Sequence, residues 1–128
     1  VLNFIMMLRS NRALHIKKWL NSKNGIVSSL QEKNIAIENK KMILKLDIEG
    51  SEYDLLDEIA LNFDIFNCMI FEFHDLDSKN ADLYKFLKKC KDSFDMIYLG
   101  INPSGGFSEC GQPKVIEITL EKKSVTKL

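Results

Sequence analysis

Apolar residues in this chain switch between two spacings, one helical and one extended, and the switching becomes regular from Met42 onward. Before that point, Phe4, Met7, Leu8, Leu14, Trp19 and Leu20 recur at helical intervals, with Lys17 and Lys18 near the end and Asn24-Gly25 as a stop. This predicts an amphipathic helix over Asn3 to Leu20, unless the segment was cut from a larger context and folds differently without its partner surface. Gly25 to Lys41 is polar and weakly patterned, with an apolar pair at Ile26 and Val27 and an alternation at Ile35 and Ile37 that reads as an edge strand or a loop.

The run Met42-Ile43-Leu44-Lys45-Leu46-Asp47-Ile48 has the near-continuous apolar character of a parallel strand covered on both faces. Glu49-Gly50 ends it. Ser51, with Asp54 three residues later, resembles a capping box, and Leu55, Leu56, Ile59, Ala60 and Phe63 form one stripe of a helix from about Ser51 to Asn62. A second strand follows at Cys68 to His74. A second helix turns Leu83, Tyr84, Phe86, Leu87 and Cys90 inward, and the lysines between Lys85 and Lys91 complement its dipole. Two further strands, near Asp95 to Ile101 and Lys114 to Glu121, flank a loop that holds Pro103, Gly105, Gly106, Gly111 and Pro113, with no helix between them. Strand, helix, strand, helix and a long-looped hairpin predict an α/β layer: a mainly parallel sheet closed by a C-terminal antiparallel hairpin.

Composition narrows the picture. A hydrophobic content of 45% is enough to build one core, and Lys plus Arg and Asp plus Glu both total 18, so no basic field exists to hold nucleic acid. Cys68, Cys90 and Cys110 show no Cys-x-x-Cys spacing and are odd in number, which points to a reducing cytoplasm. No apolar run approaches the roughly 18 residues of a membrane span. The opening Val1 to Leu8 stretch carries its basic residues on the wrong side for a signal peptide.

Candidate chemistry gathers where strands end, because ligands of open α/β sheets collect beyond the carboxyl ends of parallel strands. Asp47 and Glu49 are two apart and share a side while the chain stays extended; Glu72 and His74 repeat that spacing on the next strand. Neighbouring strands, about 4.8 Å apart, would let all four line one crevice. One acid would then take a proton or a ligand hydroxyl, while Glu72 or His74 orients it or helps hold a divalent cation. The duller alternative is that the acids cap helices or face solvent and the imidazole is a satisfied structural group. Gly50 permits a tight turn or the close approach of a ligand. Tyr53 stacks on a ligand or simply packs, Asp75 and Asp77 fit a solvated loop, and Asn102, Ser104 and Phe107 sit in a loop that either covers the crevice or is disordered.

The string Leu44-Lys45-Leu46-Asp47-Ile48-Glu49-Gly50-Ser51-Glu52-Tyr53, followed by Leu55-Leu56, resembles the Lys-x-Asp-x-Glu-Gly-x-Glu signature of FkbM-family methyltransferases. Ile70 to His74 resembles that family's next strand, and Val115 to Thr119 its last, so the resemblance spans Met42 to Leu120. It implies a Rossmann-like class I methyltransferase fold, use of S-adenosylmethionine, and methylation of a hydroxyl on a sugar or similar small molecule. It also implies that Asp47 lies beside donor and acceptor, with Gly50 next to the cofactor. Asp47, Glu49, Glu72 and His74 are the expected catalytic groups. The family's glycine-containing cofactor loop and ribose-binding carboxylate are not found in Val1 to Lys41, and where relatives carry a histidine and paired asparagines this chain has Gly100, Asn102 and Pro103. The expected organisation is therefore residues 1–41 as an amino-terminal helix and irregular segment, and 42–128 as the carboxyl-terminal half of a truncated methyltransferase domain. Three functions remain open. The first is the methyltransferase acting on a small-molecule or glycan hydroxyl. The second is a non-catalytic subunit completed by a homo-oligomer or a missing amino-terminal half. The third is a domain binding a divalent metal through Asp47, Glu49, Glu72 and His74.

Overall fold

The computed structural model describes residues 20–35, 37 and 41–124. The helix expected over Asn3 to Leu20 lies outside them except at its last residue. The described chain runs through α1 (Ile26–Glu32), β1 (Met42–Leu46), a 3-10 turn (Glu52–Leu55) leading into α2 (Leu56–Leu61), β2 (Phe66–Phe73), α3 (Leu76–Cys90), β3 (Phe94–Ile101) and β4 (Ile116–Lys122). The mixed α/β expectation holds for these elements.

The sheet order is β1-β2-β4-β3. β1 and β2 pair in parallel, and β4 pairs antiparallel with both β2 and β3. Two of the three pairings are thus antiparallel, which corrects the mainly parallel sheet. The cause is β4, which follows a loop instead of a crossover helix and enters between β2 and β3. The expected antiparallel pairing of the last two strands is present, but the reversed strand lies inside the sheet.

Burial follows the pleat. Leu44 and Leu46 of β1, Met69, Phe71 and Phe73 of β2, and Ile116, Ile118 and Leu120 of β4 face one core. α3 lays Leu76, Leu83, Phe86 and Cys90 on it, and the Phe86 ring meets Phe71 edge-on at 5.5 Å. Leu55, Leu56 and Ile59 close the same side. Ile43 points the other way and is 70% exposed, so β1 is not covered on both faces among the described residues. The 3-10 turn and α2 together replace the single helix predicted from Ser51.

α1 lies within the weakly patterned Gly25 to Lys41 segment, and of the strand-or-loop alternatives at Ile35 and Ile37 neither residue lies in a strand. Its first amides, Ile26 and Val27, donate to the Glu58 carboxylate of α2 at 2.8 and 3.0 Å. That carboxylate leaves no space for a Cβ at Gly25. No helix of the described residues is long and apolar enough to cross a membrane. The three cysteines are free.

Candidate functional site

Parallel pairing of β1 with β2, Leu46 opposite Phe71, sets the carboxyl ends of both strands side by side. β1 stops at Leu46, and the chain then turns through two successive left-handed residues, Glu49 at φ 56° and Gly50 at φ 98°. The extended geometry assumed for Asp47 and Glu49 is therefore broken between them. Glycine at position 50 has a local cause as well: a Cβ there would lie 2.8 Å from the Asp75 carboxylate.

What holds this turn is Glu52. Its carboxylate folds back to accept from the amides of Ile48 at 2.8 Å and Gly50 at 3.0 Å, and it is 0% exposed. A carboxylate so buried is tolerated only with its oxygens hydrogen-bonded. Ser51 supplies no side-chain cap, so the Ser51/Asp54 capping box is replaced by this tighter closure.

On β2, Glu72 and His74 flank Phe73, and Asp75, itself left-handed at φ 53°, breaks the strand before α3. The helix includes Asp77, which corrects the loop expected there. The His74 ring is held between acids: Nδ1 lies 3.0 Å from Glu52 Oε1, and Nε2 lies 3.5 Å from Glu49 Oε2 and 3.6 Å from Glu72 Oε1. Its backbone carbonyl accepts from the Tyr53 hydroxyl at 2.7 Å. Tyr53 also rests on Phe73, and burial, then the charges of Glu52, Asp75 and Asp82, raise its pKa well above the usual phenol value. Tyr53 thus packs and ties the His74 backbone. Asn102 donates to Glu72 Oε1 at 3.1 Å while its own oxygen accepts from the Ser104 amide, which brings the start of the long loop to the site. Phe107 pairs with Pro113 within that loop.

Asp47, Glu72 and His74 each offer a ligand atom, all within 4.8 Å of one another. A gathering of this kind suits one positive charge. Burial draws the His74 pKa down, but the bond to Glu52 and the charges of Glu52, Glu49 and Glu72 outweigh it and leave the value raised. The ring itself can therefore carry that charge, whereas a divalent cation needs the imidazole neutral. Acid groups around a basic imidazole can accept a proton, orient a hydroxyl, or face a cationic ligand. A cavity of about 910 Å³ opens at the opposite end of β1 and β2. Two of its walls, Lys41 and Ser124, adjoin residues outside the described set, and it contains none of the strand-end acids.

The model of the methyltransferase FkbM domain family matches residues 22–94, more than half of the chain. The chain belongs to this family. The FkbM match includes β1, the Glu49-Gly50 turn, β2 and α3, and so every acid of the cluster; β4 and the long loop lie beyond it. No curated protein and no solved structure matches the chain at a significant level. The structure brings Asp47, Glu49, Glu72 and His74 to one place. Glu52 was not among the site residues expected from the sequence, although it is the last position of the FkbM signature.

Proposed function

We propose that the chain carries the acceptor side of an S-adenosylmethionine-dependent O-methyltransferase site on a Rossmann-like frame, acting on a hydroxyl of a sugar or similar small molecule. The observation that carries this is the meeting of Asp47, Glu49, Glu72 and His74 at the ends of two parallel neighbours, within a chain of the FkbM family. Bound S-adenosylmethionine supplies a methyl group on a cationic sulfur that leaves as a neutral thioether.

The residues present fit one end of that cofactor. A cationic sulfur suits a crevice edged by exposed Asp47 and Glu49. The adenosine end has less support: the described residues ahead of β1 form α1 and contain no strand followed by a glycine loop. Asp47 and Glu72 orient the acceptor hydroxyl, Asn102 steadies Glu72, and Gly50 keeps the turn close to the ligand. Alignment of the two reactants is the main catalytic demand on the protein.

That same gap favours a second reading, in which this chain is a subunit that binds cofactor only with a partner chain. Calorimetric titration of the purified chain with S-adenosylmethionine and S-adenosylhomocysteine separates the two. Saturable binding, followed by methyl transfer to a panel of monosaccharides, is expected for the enzyme. A folded sample that binds neither compound leaves the subunit reading.

A further inference from the structure

We infer that Glu52 is a positioning residue: it sets the His74 ring so that Nε2, beside Glu49 and Glu72, is the proton acceptor of the site. The inference rests on the methyl-transfer reading above and says which group receives the hydroxyl proton.

Glu52 Oε1 stands 3.0 Å from His74 Nδ1, and both Glu52 oxygens already accept backbone N–H groups, Oε1 from Ile48 and Oε2 from Gly50. With only acceptor atoms facing it, Nδ1 must supply the hydrogen. In the neutral ring the lone pair is then on Nε2. The carboxylates beside Nε2, at 3.5 and 3.6 Å, are farther than the roughly 2.7–2.9 Å of a charge-assisted bond. Neither is close enough to hold a hydrogen on Nε2.

The ring has little freedom to turn. Glu52 is anchored by two amides of the Ile48–Gly50 turn and is wholly buried, and Tyr53 grips the His74 carbonyl. An ordinary carboxylate, with a pKa of about 4, is a poorer base than an imidazole at about 6.5. In the step itself the acceptor O–H bond breaks and the proton passes to Nε2. The electron pair stays on oxygen and would bond the methyl carbon as the carbon–sulfur bond breaks, its pair leaving with the neutral thioether. The imidazolium so formed lies among Glu49, Glu52 and Glu72, which stabilise it.

Glu52→Leu tests the assignment by removing the acceptor that faces Nδ1 while filling the same buried space, and the wild-type spectrum decides it alone should that variant not fold. Without that acceptor, the Glu49 and Glu72 carboxylates draw the hydrogen to Nε2. Long-range ¹⁵N–¹H spectra of the histidine-labelled chain, recorded at high pH, read the result directly, with His15→Gln assigning the only other histidine. The expected outcome is hydrogen on Nδ1 in the wild type and on Nε2 in Glu52→Leu. Hydrogen on Nε2 in the wild type, or no change in the folded variant, would overturn the inference. Where a monosaccharide is methylated, Glu52→Leu and His74→Gln should lower kcat on the order of 100-fold with the acceptor KM little changed; a rise confined to KM would also overturn it. Failure to bind S-adenosylhomocysteine counts against the methyl-transfer reading alone, and the spectra still decide the role of Glu52.

Discussion

At His74 the protonation state of one ring is coupled to folding. Its pKa in the folded chain is raised above the ordinary 6.5, against the pull of burial, by the Glu52 bond and by the charges of Glu52, Glu49 and Glu72. A raised pKa means that the folded state binds the proton more tightly than the unfolded one. This contribution is fully present below about pH 6.5 and is lost as pH rises through the raised value. Urea midpoints should therefore fall from pH 6 to pH 9 in the wild type and fall less in His74→Asn; equal slopes in the two would refute the linkage. Position alone made the strand-end groups legible, since Asp47, Glu72 and His74 stand where parallel strands finish. Glu52 was not, because its partners exist only once Glu49 adopts a left-handed conformation, and a glutamate gives no hint of that in the sequence. Asp75 shares this property. Left-handed non-glycine residues of this kind cost about 1–3 kcal/mol each and cluster at functional sites, so both belong to the price of shaping the crevice.

Among the elements, α1 shows how distance hides a helix. Its amino-terminal flank, Gly25, offers no capping side chain, and the cap comes instead from Glu58, more than thirty residues along the chain. Glu58→Ala should destabilise the chain by about 1 kcal/mol, as the loss of an N-cap does. Glu58→Gln, which keeps an acceptor oxygen, should cost less. Thermal unfolding of the two variants compares them, and equal losses would point to packing instead of capping. β1, β2 and α3 were legible because long apolar patterns specify them. α2 was only half legible: its stripe of Leu55, Leu56 and Ile59 survives, but the first turn tightens to a 3-10 form as Glu52 folds back toward β1.

Over the whole molecule, the order of strands was the part the pattern could not convey. Hydrophobic periodicity says which residues face a core, and it is silent on which strand neighbours which. Among the described residues the sheet ends on β1 at one side and β3 at the other, with Ile43, Ile97, Leu99 and Ile101 all exposed. Edge strands with exposed apolar side chains invite pairing with another chain. Self-association is expected, visible in sedimentation velocity as a rising weight-average coefficient with concentration and reduced by Ile43→Lys or Leu99→Lys. A monomer across the whole concentration range would count against it.

The placement of β4 also bears on how the chain comes off the ribosome. β2 is synthesised early, but among the described residues the strand that covers its second edge and joins β3 to the sheet is β4, which follows both in the chain. At elongation rates of about 5–20 residues per second, β2 waits seconds with an open edge while α3, β3 and the long loop are made. The nascent chain is then most exposed to chaperones and to its own neighbours on the same message, and the sheet is complete only once β4 has emerged.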